Sequence, residues 1–422
     1  MSRVRYVKGN VVEITGGNYK VYSNDNIEIH SGDKIIQTGE EKGVSFGKPK
    51  SPPAPEIVAK CVVEFRPHNN WTGEFGFDWM RMADTGLSGD LWYKTIIGKK
   101  INDTPSVADE KEYKKLMQKF TVMKVNFTKD FYIIPWLSLY KGKTAKLSLK
   151  LNIKESPKKF EFKYDDKLFK LNHTEISKKS KGKHTLPDYL QITCIETFNQ
   201  DKFIDVLADS QLVGRIKVHK NGKIDRKKLN VLLVKVRTNV RSTPKGEIGD
   251  ITSEKSKLEK HLRQALITPN VVEEFADLSK DATFNKTLVK TGFITYGTDA
   301  KGHSLLHNYM LKNYDFKKKY PNHFIIYVFG LSGVSSGTPA GGEAYDINSD
   351  NSVVFDIASR KSTCLVHELL HSLGLYHSFD TSGEFTFKYK QTENIMDYSD
   401  TRRTIWKWQW DLIRKHSLVK PE

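Results

Sequence analysis

"STCLVHELLHSLGLYHSFD", residues Ser362 to Asp380, places three histidines, one glutamate and one glycine at fixed intervals within eleven positions. Residues four apart on an α-helix lie on one face. His367 and His371 therefore aim their imidazoles at a common point, as two ligands of one Zn2+ must. Glu368 lies one step round the helix, which puts its carboxylate beside the metal's open position rather than on the metal. Gly374 follows three residues after His371, where a helix ends readily because glycine accepts positive φ. A turn there returns the chain to offer His377 as third ligand. Three neutral imidazoles leave the fourth tetrahedral position to water, the arrangement of a catalytic site with one zinc ion.

The competing reading is an amphipathic helix, in which Leu365, Val366, Leu369, Leu370 and Leu373 pack inward whether or not a metal is present. For a chain of this length and composition, the full pattern arises by chance in roughly 1 case in 20,000. Cys364, one turn before His367, is a disfavoured candidate for a fourth ligand.

Downstream, "TENIMDYS" (residues 392–399) sets Met396 nineteen positions after His377. HExxHxxGxxH followed by a methionine turn resembles the metzincin clan of zinc endopeptidases. The resemblance implies an α+β protease domain of about 170 residues around the motif. It makes Met396 an apolar floor beneath the histidines and Glu368 the base in hydrolysis of protein or peptide substrates. "HSLGLYHS" is most similar to the matrixin helix, whereas Tyr398 resembles the astacin and serralysin turn, where that tyrosine reaches the metal. On that likeness Tyr398 ligates zinc at rest or holds the oxyanion. No cysteine resembles the inhibitory propeptide cysteine of matrixins. An edge strand pairs with substrate in this clan, and residues 342–359 are the candidate, with 331–342 as a cleft rim or ordinary surface loop.

The 422 residues allow about three domains. No apolar stretch of 18 or more residues occurs, so no membrane span is expected. The opening "MSRVRYVKGNVVEITGG" has no apolar core of a signal peptide. Cys61, Cys194 and Cys364 each lie inside an apolar run and read as buried thiols. The net charge is +18, carried mainly by lysines in polar segments such as "SKKSKGKH" (177–184). Those segments lack the arginine and aromatic interleaving of nucleic-acid surfaces, so no nucleic-acid partner is expected.

The fold class expected is multidomain, with N-terminal all-β, sandwich-like modules followed by the α+β metzincin-like zinc protease domain. Residues 1–46 alternate as short strands of a small β-module, and "GKPKSPPAPE" (47–56) is a proline-rich linker. Two sandwich-like domains are expected at 57–155 and 156–240, because many short alternating segments follow one another. A second linker at 241–250 would lead into the catalytic domain, 251–422. There "SEKSKLEKHLRQALI" (253–267) has helical spacing with Ser253 as N-cap, and "HFIIYVFG" (323–330) reads as a buried strand.

"QTGEEKGVSFGKPK" and "VEFRPHNNWTGEFGFDWMR" resemble the leading modules of bacterial type VI secretion cargo proteins. That likeness implies a toxin or effector made in the cytoplasm and delivered outside the cell by a non-Sec route. Its partners would be secretion-machine tip components and an immunity protein, and residues 1–240 would be a carrier separable from the protease. The alternative is an adhesive or secretion-machine adaptor protein whose zinc site is structural.

Overall fold

The computed structural model describes residues 56–101, 104–128, 130–242, 244–298, 304–335, 337–356 and 363–422. The expected module at 1–46 and all but the last residue of the 47–56 linker lie outside the described residues.

The alternating stretch "TAKLSLKLNI" forms the strand Thr144–Ile153, with Ala145, Leu147, Leu149, Leu151 and Ile153 on its buried face. It pairs antiparallel with Cys61–Pro67 on one side, Phe65 opposite Leu149. On the other side it pairs antiparallel with Gly182–Cys194, Leu190 opposite Leu147. A second sheet runs in the order Phe160–Lys163, Lys202–Ala208, Gln211–Val218, Trp136–Ser138, Gly76–Asp78. The inward residues of both sheets share one core, from Cys61 to Val218. The expected division near residue 155 is therefore corrected to one sandwich. Period-two alternation marks a half-buried strand but does not say which strand lies beside it, and here the neighbours come from both sides of the boundary.

The end of the supposed second sandwich also belongs elsewhere. Lys227–Thr238 is an interior strand of a mixed sheet, parallel to Ile267–Asp277 on one flank and to Phe324–Phe329 on the other. Its run "LNVLLVKV" is apolar on both faces, as a strand covered on both sides requires. Leu229, Val231 and Leu233 enter one core. Leu232, Val234 and Val236 enter a second core on the opposite face. The expected linker 241–250 is a turn into the short strand Glu247–Ile248, which pairs with Arg237–Thr238. The Glu247 carboxylate closes that turn, accepting from the Thr238 hydroxyl at 2.9 Å and from the Val240 and Arg241 N–H groups at 3.0 and 2.9 Å.

The sheet continues from Phe324–Phe329 to the parallel strand Asn351–Val354 and ends at the antiparallel edge strand Gly342–Ala344. Phe324–Phe329 is buried at every position, as its sequence predicts. The helix Glu254–Leu262 begins after Ser253, whose side chain makes no cap bond. Residues 263–265 tighten into a 3-10 turn, and Leu266 takes a left-handed φ of 55°. No helix among the described residues is long and apolar enough to cross a membrane. The three cysteines are buried free thiols.

Residues 56–422 form one compact unit, and buried polar groups join the sandwich to the mixed sheet. Gln264, fully buried, donates to the Gly73 and Arg403 carbonyls at 2.9 and 2.8 Å and accepts from the Ile405 N–H at 2.9 Å. Asp78 accepts from the Lys407 N–H at 2.8 Å, capping the start of the helix Lys407–Ile413. The idea of residues 1–240 as a separable carrier is corrected by these contacts and by the position of Lys227–Thr238.

Candidate metal centre

The helix Cys364–Ser372 packs Leu365, Val366, Leu369 and Leu370 into the core beneath the mixed sheet. The amphipathic reading is thus correct as far as it goes. The same helix directs its two histidines to one point. It ends at Leu373, with Gly374 at φ 102°. The Gly374 N–H bonds to the His371 carbonyl at 2.9 Å and the Leu375 N–H to the Leu370 carbonyl at 3.0 Å. These two bonds make the αL stop that glycine permits. The chain reverses there and brings His377 back.

The Nε2 atoms of His367 and His371 lie 3.1 Å apart, and those of His371 and His377 lie 3.0 Å apart. The ligand atoms of all three fall within 4.8 Å of one another. His367 Nδ1 donates to the Ile395 carbonyl at 2.8 Å, and His371 Nδ1 donates to the Leu375 carbonyl at 2.7 Å. A carbonyl only accepts, so Nδ1 carries the proton in both rings and each Nε2 presents a bare lone pair. Burial keeps all three imidazoles neutral, holding His367 well below its usual range, His371 at about 4 and His377 at about 3. Converging lone pairs at this spacing repel one another unless a cation lies between them. Tetrahedral Zn–N bonds of about 2.0–2.1 Å would set such nitrogens roughly 3.3 Å apart, so the donor set fits zinc. Cys364 is not part of this group; its thiol faces Glu368 Oε1 at 3.8 Å.

Met396 lies on a turn fastened to two of the ligand segments. The Ile395 carbonyl holds His367, and the Met396 carbonyl accepts from the Ser378 N–H at 3.0 Å, one residue past His377. Asn394 shapes the turn through the Met396 N–H at 2.9 Å. The buried Asp397 carboxylate accepts from the N–H groups of Lys390, Thr392 and Tyr398 and from the Thr392 hydroxyl, at 2.7–2.9 Å. Met396 itself is fully buried in the core under the helix.

Glu368 is 8% exposed, and burial followed by the nearby Glu343 raises its carboxyl to about 8. The backbone of Ala344 hydrogen-bonds to it, so the edge strand Gly342–Ala344 runs directly over this carboxyl. That approach requires glycine, since a Cβ at Gly342 would lie 2.7 Å from Glu368 Cγ. Tyr398 places its ring 5.5 Å from His367 and 4.8 Å from His377, centre to centre, and is 39% exposed. Phe379 also stacks on the His377 ring, 4.7 Å away centre to centre.

Three features of the site go beyond the sequence reading. Glu343 sits on the edge strand, its carboxyl raised to about 7 by burial. Arg402 donates to the Asp397 carbonyl at 3.3 Å and brings positive charge to bear on Glu368 and Tyr398. The Ile395 and Leu375 carbonyls orient the ligands. A carbonyl has no sequence signature, and neither charged residue falls in a motif.

No protein-family model matches the chain, and no curated protein matches it. Among solved structures it is similar to the archaemetzincin of Methanopyrus kandleri, at 17% identity over 45% of this chain and 95% of that one, with a TM-score of 0.29. It is also similar to the archaemetzincin of Archaeoglobus fulgidus complexed with malonate, at 14% identity over 44% of this chain and 99% of that one, with a TM-score of 0.26.

Proposed function

We propose that the chain is a zinc-dependent endopeptidase that hydrolyses peptide bonds in protein or peptide substrates. The observation that carries this reading is the convergence of three Nε2 atoms beside a buried glutamate, beneath an open strand edge. His367, His371 and His377 are the residues that would hold the ion. Bound there, zinc supplies Lewis acidity and an acidified water.

Glu368 takes the proton of the attacking water and passes it to the leaving amine. Its carboxyl, neutral through burial beside Glu343, becomes the carboxylate when positive charge is held by the adjacent imidazoles. Among the described residues Gly342–Ala344 pairs with a neighbour on one side only. The other edge offers backbone donors and acceptors to an extended peptide, which suits recognition of main chain. Tyr398 donates its hydroxyl to the oxygen on which charge develops. Met396 supports the ligand rings from below.

The delivery reading rests on the sequence resemblance alone. It makes the protein a secreted effector, carried by a non-Sec route such as type VI secretion, with tip components and an immunity protein as partners. The enzymatic reading is tested by incubating the full chain with a peptide library before and after chelation. Cleavage that chelation stops and zinc restores is the expected result. Cleavage unaffected by chelation, or none with zinc present, would contradict it. A structural zinc site instead predicts that chelation changes folding alone.

A further inference from the structure

On the outer face of the sandwich lies a cavity of about 590 Å3 that shares no lining residue with the metal centre. Val62 and Glu64 of Cys61–Pro67 and Asn152 of Thr144–Ile153 form its floor, with Val62 opposite Asn152. Their neighbours Val63 and Leu151 point into the core, so alternation turns these three outward. The helix Glu110–Met117 and the short strand Phe131–Ile133 make the walls. Asp109 caps that helix, accepting from the Lys111 N–H at 2.7 Å. The Tyr132 hydroxyl ties the strand to the sandwich, donating to the Arg215 carbonyl at 2.9 Å. The cavity is therefore preformed.

Three aromatic rings line it: Trp92, 43% exposed, Phe131, 56% exposed, and the half-buried Tyr113. Among the described residues no two of the three stack on each other, so their faces are left to an occupant. Exposed aromatic area gathered in one concavity marks a binding surface. The polar lining narrows the choice. Glu64 pairs with Arg66 at 3.1 Å and Glu110 with Lys114 at 3.3 Å, while Lys94 lies 5.8 Å from the Trp92 ring. Among the described residues no cation pairs with Asp130, and the Asn152 amide has no hydrogen-bond partner. An anion would meet Asp130 and Glu64, and a cation would meet Lys94 and Lys114, so the occupant is neutral. A hydrocarbon chain would desolvate Asp130 and Asn152 without replacing their bonds to water. A proline-rich segment suits separated rings, but it brings carbonyls and few N–H groups to a lining rich in acceptors. The occupant must therefore be uncharged, flat enough to lie on a ring, and supplied with many O–H donors.

We propose that this cavity binds a neutral carbohydrate chain, its sugar rings lying on Trp92 and Phe131 and its hydroxyls bonded to Asp130 and Asn152. The C–H face of a pyranose carries partial positive charge and meets the negative face of an aromatic ring. Each hydroxyl both donates and accepts, so the Asp130 carboxylate takes donors while the Asn152 amide exchanges bonds in both directions. The site does not depend on the zinc reading, and metal-free protein should bind the same sugar.

The test is calorimetric titration of the full chain with cellotetraose, maltotetraose, mannotetraose and chitotetraose, beside a proline-rich decapeptide. At least one of the sugars should bind with a Kd below about 1 mM, and more tightly than the peptide. Trp92→Ala and Phe131→Ala should each weaken that sugar at least about tenfold, and Asp130→Ala about threefold. No sugar bound below about 1 mM, tighter binding of the peptide than of every sugar, or sugar binding unchanged in Phe131→Ala would each overturn the proposal. Trp92 precedes the short helix Tyr93–Ile96. Phe131→Ala and Asp130→Ala, both at exposed positions, decide the matter if Trp92→Ala does not fold.

Discussion

Arg81 Nε lies 2.6 Å from Glu393 Oε1, and both side chains are almost wholly buried. The pair joins the loop after the sandwich strand Gly76–Asp78 to the residue before Asn394, where the methionine turn begins. Arg81 also pairs with Asp78 and stacks 3.8 Å over Trp79, while the Tyr93 hydroxyl reaches Glu393 at 3.2 Å. Burial is the larger influence on Glu393 and raises its carboxyl despite the guanidinium. Removing Arg81 leaves the buried Glu393 and Asp78 carboxyls without their cation, so Arg81→Met should cost about 3–5 kcal/mol, whereas Glu393→Gln leaves Arg81 its Asp78 partner and should cost less. The double variant should cost less than the sum, because the two residues are coupled. Urea unfolding of the three variants checks this; additive losses would show that the pair is not a unit.

A truncation follows from the same architecture. Deleting residues 1–240 removes Lys227–Thr238, whose flanks both pair with catalytic-side strands. It also takes away Arg81, Asp78 and the Gly73 carbonyl. The fragment 241–422 should be insoluble or lack cooperative unfolding. A fragment that folds and cleaves peptide would restore the separable-carrier view.

Tyr398 distinguishes packing from chemistry by one hydroxyl. Its ring already packs on His367 and His377, and phenylalanine would fill the same volume. If the hydroxyl stabilises developing charge, Tyr398→Phe should lower kcat by about 10²–10³, roughly 2.7–4 kcal/mol, with folding intact. Activity within a factor of about three of wild type would assign the oxyanion to other groups.

Stability should fall in acid through histidines away from the metal centre. Burial holds His261 down to about 3 and His307 to about 4. The unfolded chain takes up these protons near about 6.5, whereas the folded chain does so only at the lower values. Stability is therefore full above about 6.5 and declines as pH drops through that window, by about 1.4 kcal/mol per pH unit for each residue. Urea midpoints compared at about pH 6 and about pH 5 should show His307→Gln losing one residue's share of this slope. An unchanged slope would mean that His307 does not carry it.

The three-histidine cluster was legible where spacing along the chain is itself contact, as in His367, His371 and Gly374 on one helix and its stop. His377 and Met396 followed from motif geometry. The strand Phe324–Phe329 declared itself by being apolar throughout. Lys227–Thr238 did so too, but neighbouring alternating strands drew it into the wrong sheet, since strand pairing is a long-range property. Glu343, Arg402 and the Ile395 carbonyl reach the site through tertiary packing, which local pattern does not encode. Arg81 and Glu393 are 312 positions apart in sequence, and nothing in either segment names the other.

The central claim is that one metal-bound site uses Glu368 as its base. Glu368→Ala leaves all three imidazoles in place, with the carbonyl partners of His367 and His371. The variant should therefore retain zinc at about one ion per chain, measured by atomic emission on dialysed protein, while peptide cleavage disappears. A Glu368→Ala protein that binds zinc and still cleaves peptide would contradict the account.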